Sequence, residues 1–209
     1  MSNKWLDSTV KAYERFYGIT DKPVVWEVGS RDGRDGVELA QRIYKGQEMW
    51  FWSNATVVCM EPNPDQAAVI RRDFPEVTTI ELAASNAVGE APFMVYHGDA
   101  GAVGSSSLNL SWKKGDLEGH KIVVETERLD NLIGDVPIDI MKIDVEGHSM
   151  AVMDGLGAKI RQVRVYHIET EKWTDSNIQM KVLMTGHGYT LVDESEQYGG
   201  MPDLVFVRV

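Results

Sequence analysis

The chain has 209 residues, 43% hydrophobic and 9% aromatic, which is enough apolar material to bury one full core. Its 21 basic and 32 acidic residues give a formal net charge of -11, which disfavours nucleic acid or an anionic membrane as partner and favours small or neutral partners. The lone cysteine, Cys59, excludes an intramolecular disulfide, and the charged N-terminal stretch lacks an apolar block, so a single cytoplasmic domain over residues 1–209 is expected.

In chain order, Trp5, Val10, Tyr13 and Phe16 or Tyr17 recur at near-helical spacing and predict a helix over about 5–17. The apolar run 24–28 predicts a strand that enters a glycine-rich turn, followed by a helix over 35–44 and a second strand at 56–60. Between them Trp50, Phe51 and Trp52 form an aromatic cluster that either packs beneath a loop or makes a binding surface. A helix over 65–74, a strand over 77–82 and a strand near 91–96 follow. The Gly- and Ser-containing stretch 98–120 is longer than ordinary connections and predicts a mobile lid. Strands at 138–144 and from 163 each lead into a turn, and a final pair at 189–192 and 203–207 returns antiparallel. Alternating strands and helices predict a doubly wound α/β sheet with an antiparallel strand at one edge.

The chemistry concentrates at strand ends. Gly29, Gly33 and Gly36 let backbone approach a ligand closely, but their spacing departs from the dinucleotide fingerprint and lacks the lysine of a phosphate-binding loop. Glu61, before Pro62, stands at the tip of the second strand, where a carboxylate accepts hydrogen bonds from ribose hydroxyls. Glu27, on the first strand, suits a sulfonium and an ammonium better than a pyrophosphate, which favours S-adenosylmethionine over a nicotinamide cofactor. Asp144 and Glu169 end two later strands and, with Glu146 and His148, are the candidates to manage the proton of a weakly acidic acceptor. Asp144, Glu146 and Glu169 also form a hard-oxygen set suited to magnesium. Lys142 is expected to neutralise Asp144, Glu27 or Glu169, and His167 to be a satisfied core histidine.

The motifs EVGSRDGRDG, CMEPNP, AASNAVGE, GSSSL, MKIDVEGHSMAVMDGL and HIETE, in this order, resemble the FkbM family of S-adenosylmethionine-dependent methyltransferases. MKIDVEGH is the most specific of them. The first turn departs from the commoner Asp-x-Gly-Ala-Asn wording, with Glu27, Ser30 and Arg31 instead, and Ser149 stands where the family often has an acid. The resemblance implies a class I, Rossmann-like methyltransferase fold of about seven strands and methyl transfer to hydroxyls of sugars or natural products. It also implies cofactor contacts: Glu27 and Gly29 at the methionine end, with Ser30, Arg31 and Gly33 in the same turn, Glu61 and Pro62 at the ribose, Ser85 and Asn86 near adenine, and Asp144 facing the crevice. Two rival functions are a nicotinamide-dependent oxidoreductase, favoured by Glu61 alone, and a noncatalytic S-adenosylmethionine-binding module using the aromatic cluster.

Overall fold

The computed structural model describes residues 4–98, 105–110, 118–170, 175–198 and 201–209. Helix α1 (Asp7–Tyr17) turns Val10 and Tyr13 inward and precedes β1 (Val24–Val28), which enters α2 (Arg34–Ile43) through the glycine turn. A short α3 (Phe51–Asn54) precedes β2 (Thr56–Met60). Asn63 caps α4 (Pro64–Asp73) by accepting from the Asp65 amide, and β3 (Thr78–Ile80) follows. Next come β4 (Ala83–Ser85), β5 (Gly89–Tyr96), β6 (Gly119–Arg128) and the single turn α5 (Leu129–Leu132). The chain closes with β7 (Ile138–Ile143), α6 (Ser149–Leu156), β8 (Val163–Glu169), α7 (Ser176–Gly186), β9 (Tyr189–Tyr198) and β10 (Met201–Arg208).

Seven strands form one sheet in the order β3-β2-β1-β7-β8-β10-β9. The first five are parallel, and β10 inserts antiparallel between β8 and β9, which supplies the antiparallel pairing expected at that side. Sheet order reverses beside β1, so the carboxyl ends of β1 and β7 flank the crevice where such folds bind ligands. Every residue of β7 is buried because the central strand is covered on both faces.

The stretch near 91–96 is a strand, but it belongs elsewhere: β5 pairs with β6, and β6 with β4, in a separate three-stranded sheet. Alternation marks a half-buried strand without naming its partner.

Side-chain parity divides the main core. Trp26, Val28, Met60, Met141, Tyr166 and Ile168 share one cluster with residues of α6 and α7, whereas Val25, Cys59, Ile140, Val165 and Val205 pack with residues of α1 and α2. Cys59 is a free thiol fully buried in that second cluster. Of the aromatic cluster, Phe51 is buried and meets Tyr44 and Trp52 edge to face, while Trp50 is exposed. Among the described residues no helix is long and apolar enough to cross a membrane.

Candidate active site

The glycine turn is built by its own polar groups. Gly29 N–H and Ser30 N–H both donate to the Met60 carbonyl, at 3.0 and 3.1 Å, and the Ser30 hydroxyl donates to the Glu27 carbonyl at 2.7 Å. Gly29 has φ 81°, and a Cβ there would overlap the Asp144 carbonyl oxygen. The loops after β1 and β7 therefore touch through a position that only glycine occupies without displacement. Arg31, at φ 49°, and Glu146, at φ 48°, are the non-glycine residues held in the left-handed region among those described, and they belong to the same two loops.

Glu61 is buried and ties the turn to the tip of β2: Oε2 accepts from Arg31 N–H at 2.8 Å and Oε1 from Asn63 N–H at 2.9 Å. Each oxygen keeps a second lone pair for a further donor. Burial pushes its pKa up to about 7, against the two backbone hydrogen bonds that favour the anion. Glu27 is not part of the cavity wall. Its carboxyl lies under the turn and accepts from Gly36 N–H at 2.9 Å, at the start of α2. Burial, opposed by Lys142, pushes its pKa up to about 8. Around neutral pH it is therefore largely protonated.

These shifts have a sign that can be tested. A carboxyl raised from 4.5 to about 7 or 8 on folding holds its proton more tightly in the native state, so its contribution to stability is complete below about 4.5 and is lost as pH rises through the folded value. Wild type should lose stability relative to Glu27→Gln between pH 5 and 8.5, by up to about 1.4 kcal/mol per pH unit. Urea midpoints of the two proteins across that range check it. Parallel curves would show that Glu27 does not titrate there.

Register aligns Glu27, Lys142 and His167 across β1, β7 and β8. Lys142 Nζ lies 2.8 Å from Asp144 Oδ2 and 3.3 Å from Asp35 Oδ2. Burial works to lower its pKa, but the fields of Asp144, Asp35 and Glu27 outweigh it and hold the ammonium charged. His167 is hydrogen bonded to Thr9 at 2.7 Å and faces Asp203 at 3.3 Å, a satisfied core histidine. Asp35 and Asp203 carried no signal in the sequence, because their partners lie on distant elements.

Beyond this row, Asp144, Glu146 and Glu169 converge, with one oxygen of each within 4.8 Å of the others. Burial raises the Glu169 pKa well above the carboxylate range, reinforced by the charges of Asp144, Glu146 and Asp203. Lys142 is ion-paired with Asp144, while burial and the neighbouring acids keep the proton on Glu169. The loop carrying Glu146 is pinned from the Gly-Ser segment, where Ser107 Oγ donates to the Glu146 carbonyl at 2.6 Å and Asn109 Nδ2 to the Gly147 carbonyl at 3.3 Å. Ser105 and Ser107 are buried, so residues 105–110 of the expected lid lie against the β7 loop. Residues 99–104 and 111–117 of that expected lid lie outside the described residues.

A cavity of about 380 Å³, part of it open to solvent, runs between these loops. Its wall includes four of the residues picked out in the sequence, Gly29, Pro62, Asp144 and His148. It also includes Leu82, Ala84, Phe93, Ser106 and Leu108, which sequence reasoning missed, although GSSSL and the alternating apolar positions of β5 were their visible traces. Ser85 Oγ lies 3.1 Å from His148 Nε2, whose pKa burial lowers, so this imidazole is neutral. Asn86 is exposed and donates to Asp154, away from the wall. Ser30 and Gly33 sit within the turn, and the Arg31 side chain pairs with Asp32 at 3.4 Å.

The family model described as the methyltransferase FkbM domain matches residues 27–191. No curated protein sequence matches the chain. Among solved structures, precorrin-6y C5,15-methyltransferase from Geobacter metallireducens superposes with a TM-score of 0.54 at 13% identity, covering 100% of this chain and 90% of that one. Aeropyrum pernix fibrillarin, solved with natively bound S-adenosyl-L-methionine, gives 0.51 at 12% identity over 97% and 74% of the two chains. Streptococcus pneumoniae Sp1610, provisionally a tRNA (m1A22) methyltransferase and solved with S-adenosyl-L-methionine, gives 0.52 at 11% identity over 100% and 73%. At these identities the likeness establishes the class I methyltransferase fold, and the acceptors of those proteins are their own.

Proposed function

This chain belongs to the FkbM family of methyltransferases, and from that premise we propose that it uses S-adenosylmethionine to methylate a hydroxyl group of a small molecule, a sugar or a glycan. The observation that carries this reading is one cavity bounded by the Gly29 turn on one side and by the loop bearing Asp144 and His148 on the other, with Glu146 and Glu169 beside Asp144.

The residues fit the cofactor. Gly29 offers backbone where a side chain would intrude, Leu82, Ala84, Phe93 and Leu108 present an apolar wall for a flat heterocycle, and Glu61 has lone pairs left for ribose hydroxyls. The acids around Asp144 favour a cationic amino acid end. When bound, S-adenosylmethionine supplies an electrophilic methyl group on a sulfonium.

The chain's own work is alignment and proton handling. Asp144, ion-paired with Lys142, accepts the proton that an acceptor hydroxyl releases, and Glu169, protonated at rest, donates a hydrogen bond that orients the acceptor oxygen. Neutral His148 is the second group able to take a proton. Asp144, Glu146 and Glu169 would also hold a magnesium ion, which would acidify a hydroxyl bound to it. The net charge of -11 supports a neutral or cationic acceptor over a polyanion such as RNA.

Incubation with S-adenosylmethionine carrying a deuterated methyl group, against pools of hydroxylated metabolites, glycans and RNA, followed by mass spectrometry, tests this. The expected product is a labelled methyl ether. Label on nitrogen or carbon would reject the hydroxyl reading, and label only in RNA would reject the small-molecule or glycan acceptor, while either leaves methyl transfer standing.

A further inference from the structure

Away from the carboxylates, two imidazoles meet at the far end of the small sheet. In the β5/β6 register Val95 faces His120, and His97 N–H donates to the Glu118 carbonyl at 2.8 Å, so His97 and His120 stand on one face of the ribbon. Their rings are nearly parallel, 11° apart with centroids at 4.8 Å, and His120 Nδ1 lies 2.8 Å from His97 Nε2. Both are exposed, in line with the buried Phe93 and Val95 of the same strand face. A hydrogen bond between two exposed side chains is worth little in water, yet this contact needs a neutral ring whose lone pair is aimed at the other nitrogen.

The geometry points to a bis-histidine site for a borderline divalent transition-metal ion such as Ni2+ or Cu2+. Two nitrogens bound cis at 90° with metal–nitrogen distances of about 2.0–2.1 Å lie about 2.9 Å apart, whereas a tetrahedral zinc needs about 3.3 Å. The observed 2.8 Å is already close to the first span. Binding turns each ring by about 45°, which swings both lone pairs from the N···N line onto the ion, with waters completing its shell. The ring that donated moves its proton to its other nitrogen, so no net proton is released. Imidazole selects these ions over magnesium, which keeps the site chemically separate from the carboxylates at Asp144. An ion there joins the end of β5 to the start of β6, and thereby steadies the strand that brings Phe93 to the cavity.

The test is calorimetric titration of the whole protein with NiCl2 in excess magnesium chloride, for wild type, His97→Ala, His120→Ala and the double variant, with folding checked by circular dichroism. Wild type should bind one ion, each single variant should bind at least about tenfold more weakly, and the double variant should lose no more than either single one, since a chelate acts as a unit. Unaltered nickel affinity in the variants overturns the assignment. A second measurement needs no variant: trace Cu2+ should broaden the His97 and His120 imidazole resonances first, and broadening that begins at His187 or His148 would place the ion elsewhere.

Discussion

Replacing Asp144 by asparagine should lower the single-turnover rate with a working acceptor by about a hundredfold to ten thousandfold, the usual contribution of a positioned base, whereas Glu169→Gln, whose amide still donates a hydrogen bond, should lower it by about tenfold at most. S-adenosylmethionine affinity should stay within a few fold, because the glycine turn and Glu61 belong to β1 and β2, on the other side of the cavity. Glu169→Gln is the cleaner variant. Its amide has the shape of the protonated acid that burial and the neighbouring acids already favour, so both the fold and the orienting hydrogen bond should survive. Asp144→Asn leaves Lys142 with Asp35 as a counter-charge at 3.3 Å, so a collapse of the ion network is not expected to confound it. Near wild-type turnover in Asp144→Asn would make that carboxyl structural and leave His148, or water, to take the proton.

Gly29→Ala should be the most damaging small substitution in the chain. The residue combines φ 81° with a Cβ direction blocked by the Asp144 carbonyl oxygen, and the blocking atom is backbone, which cannot swing aside. Left-handed strain and a displaced loop together should cost on the order of 3–5 kcal/mol and abolish cofactor binding. Gly18→Ala is the control. It has φ 72° and ψ -177°, a conformation nearly confined to glycine, but nothing within 4 Å of the new methyl, so it should cost only the backbone strain, about 1–3 kcal/mol. Urea denaturation separates the two, and a Gly29→Ala protein as stable as Gly18→Ala would mean that the two loops do not touch as described.

Much of the site was visible in the sequence because its parts obey local rules. A continuous apolar run such as Ile138–Ile143 marks a central strand, and the acids that close such runs, Asp144 and Glu169, meet at the carboxyl ends of neighbouring strands. What was not visible depended on tertiary placement. Glu27 reads as a cofactor acid until its carboxyl is found bonded to Gly36 N–H beneath the turn. The strand of 89–96 announces itself by alternation, but nothing local says that it pairs with β6 rather than extending the main sheet. The Gly-Ser composition of 98–120 reads as a loop, yet Ser107 and Asn109 are spent on the carbonyls of Glu146 and Gly147, contacts that span more than 35 residues of sequence. Asp35 and Lys142 likewise meet only after α2 packs on the sheet.

The central claim is that the crevice between the β1 turn and the β7 loop is an adenosyl site read by Glu61, and calorimetry with S-adenosylhomocysteine and NAD tests it most directly. Wild type should bind S-adenosylhomocysteine with one-to-one stoichiometry and show no heat with NAD, and Glu61→Ala should weaken the binding by about 1.5–3 kcal/mol, the scale of a hydrogen bond to a charged group. Comparable binding of NAD, or a Glu61→Ala protein that is folded and binds S-adenosylhomocysteine as tightly as wild type, would contradict it.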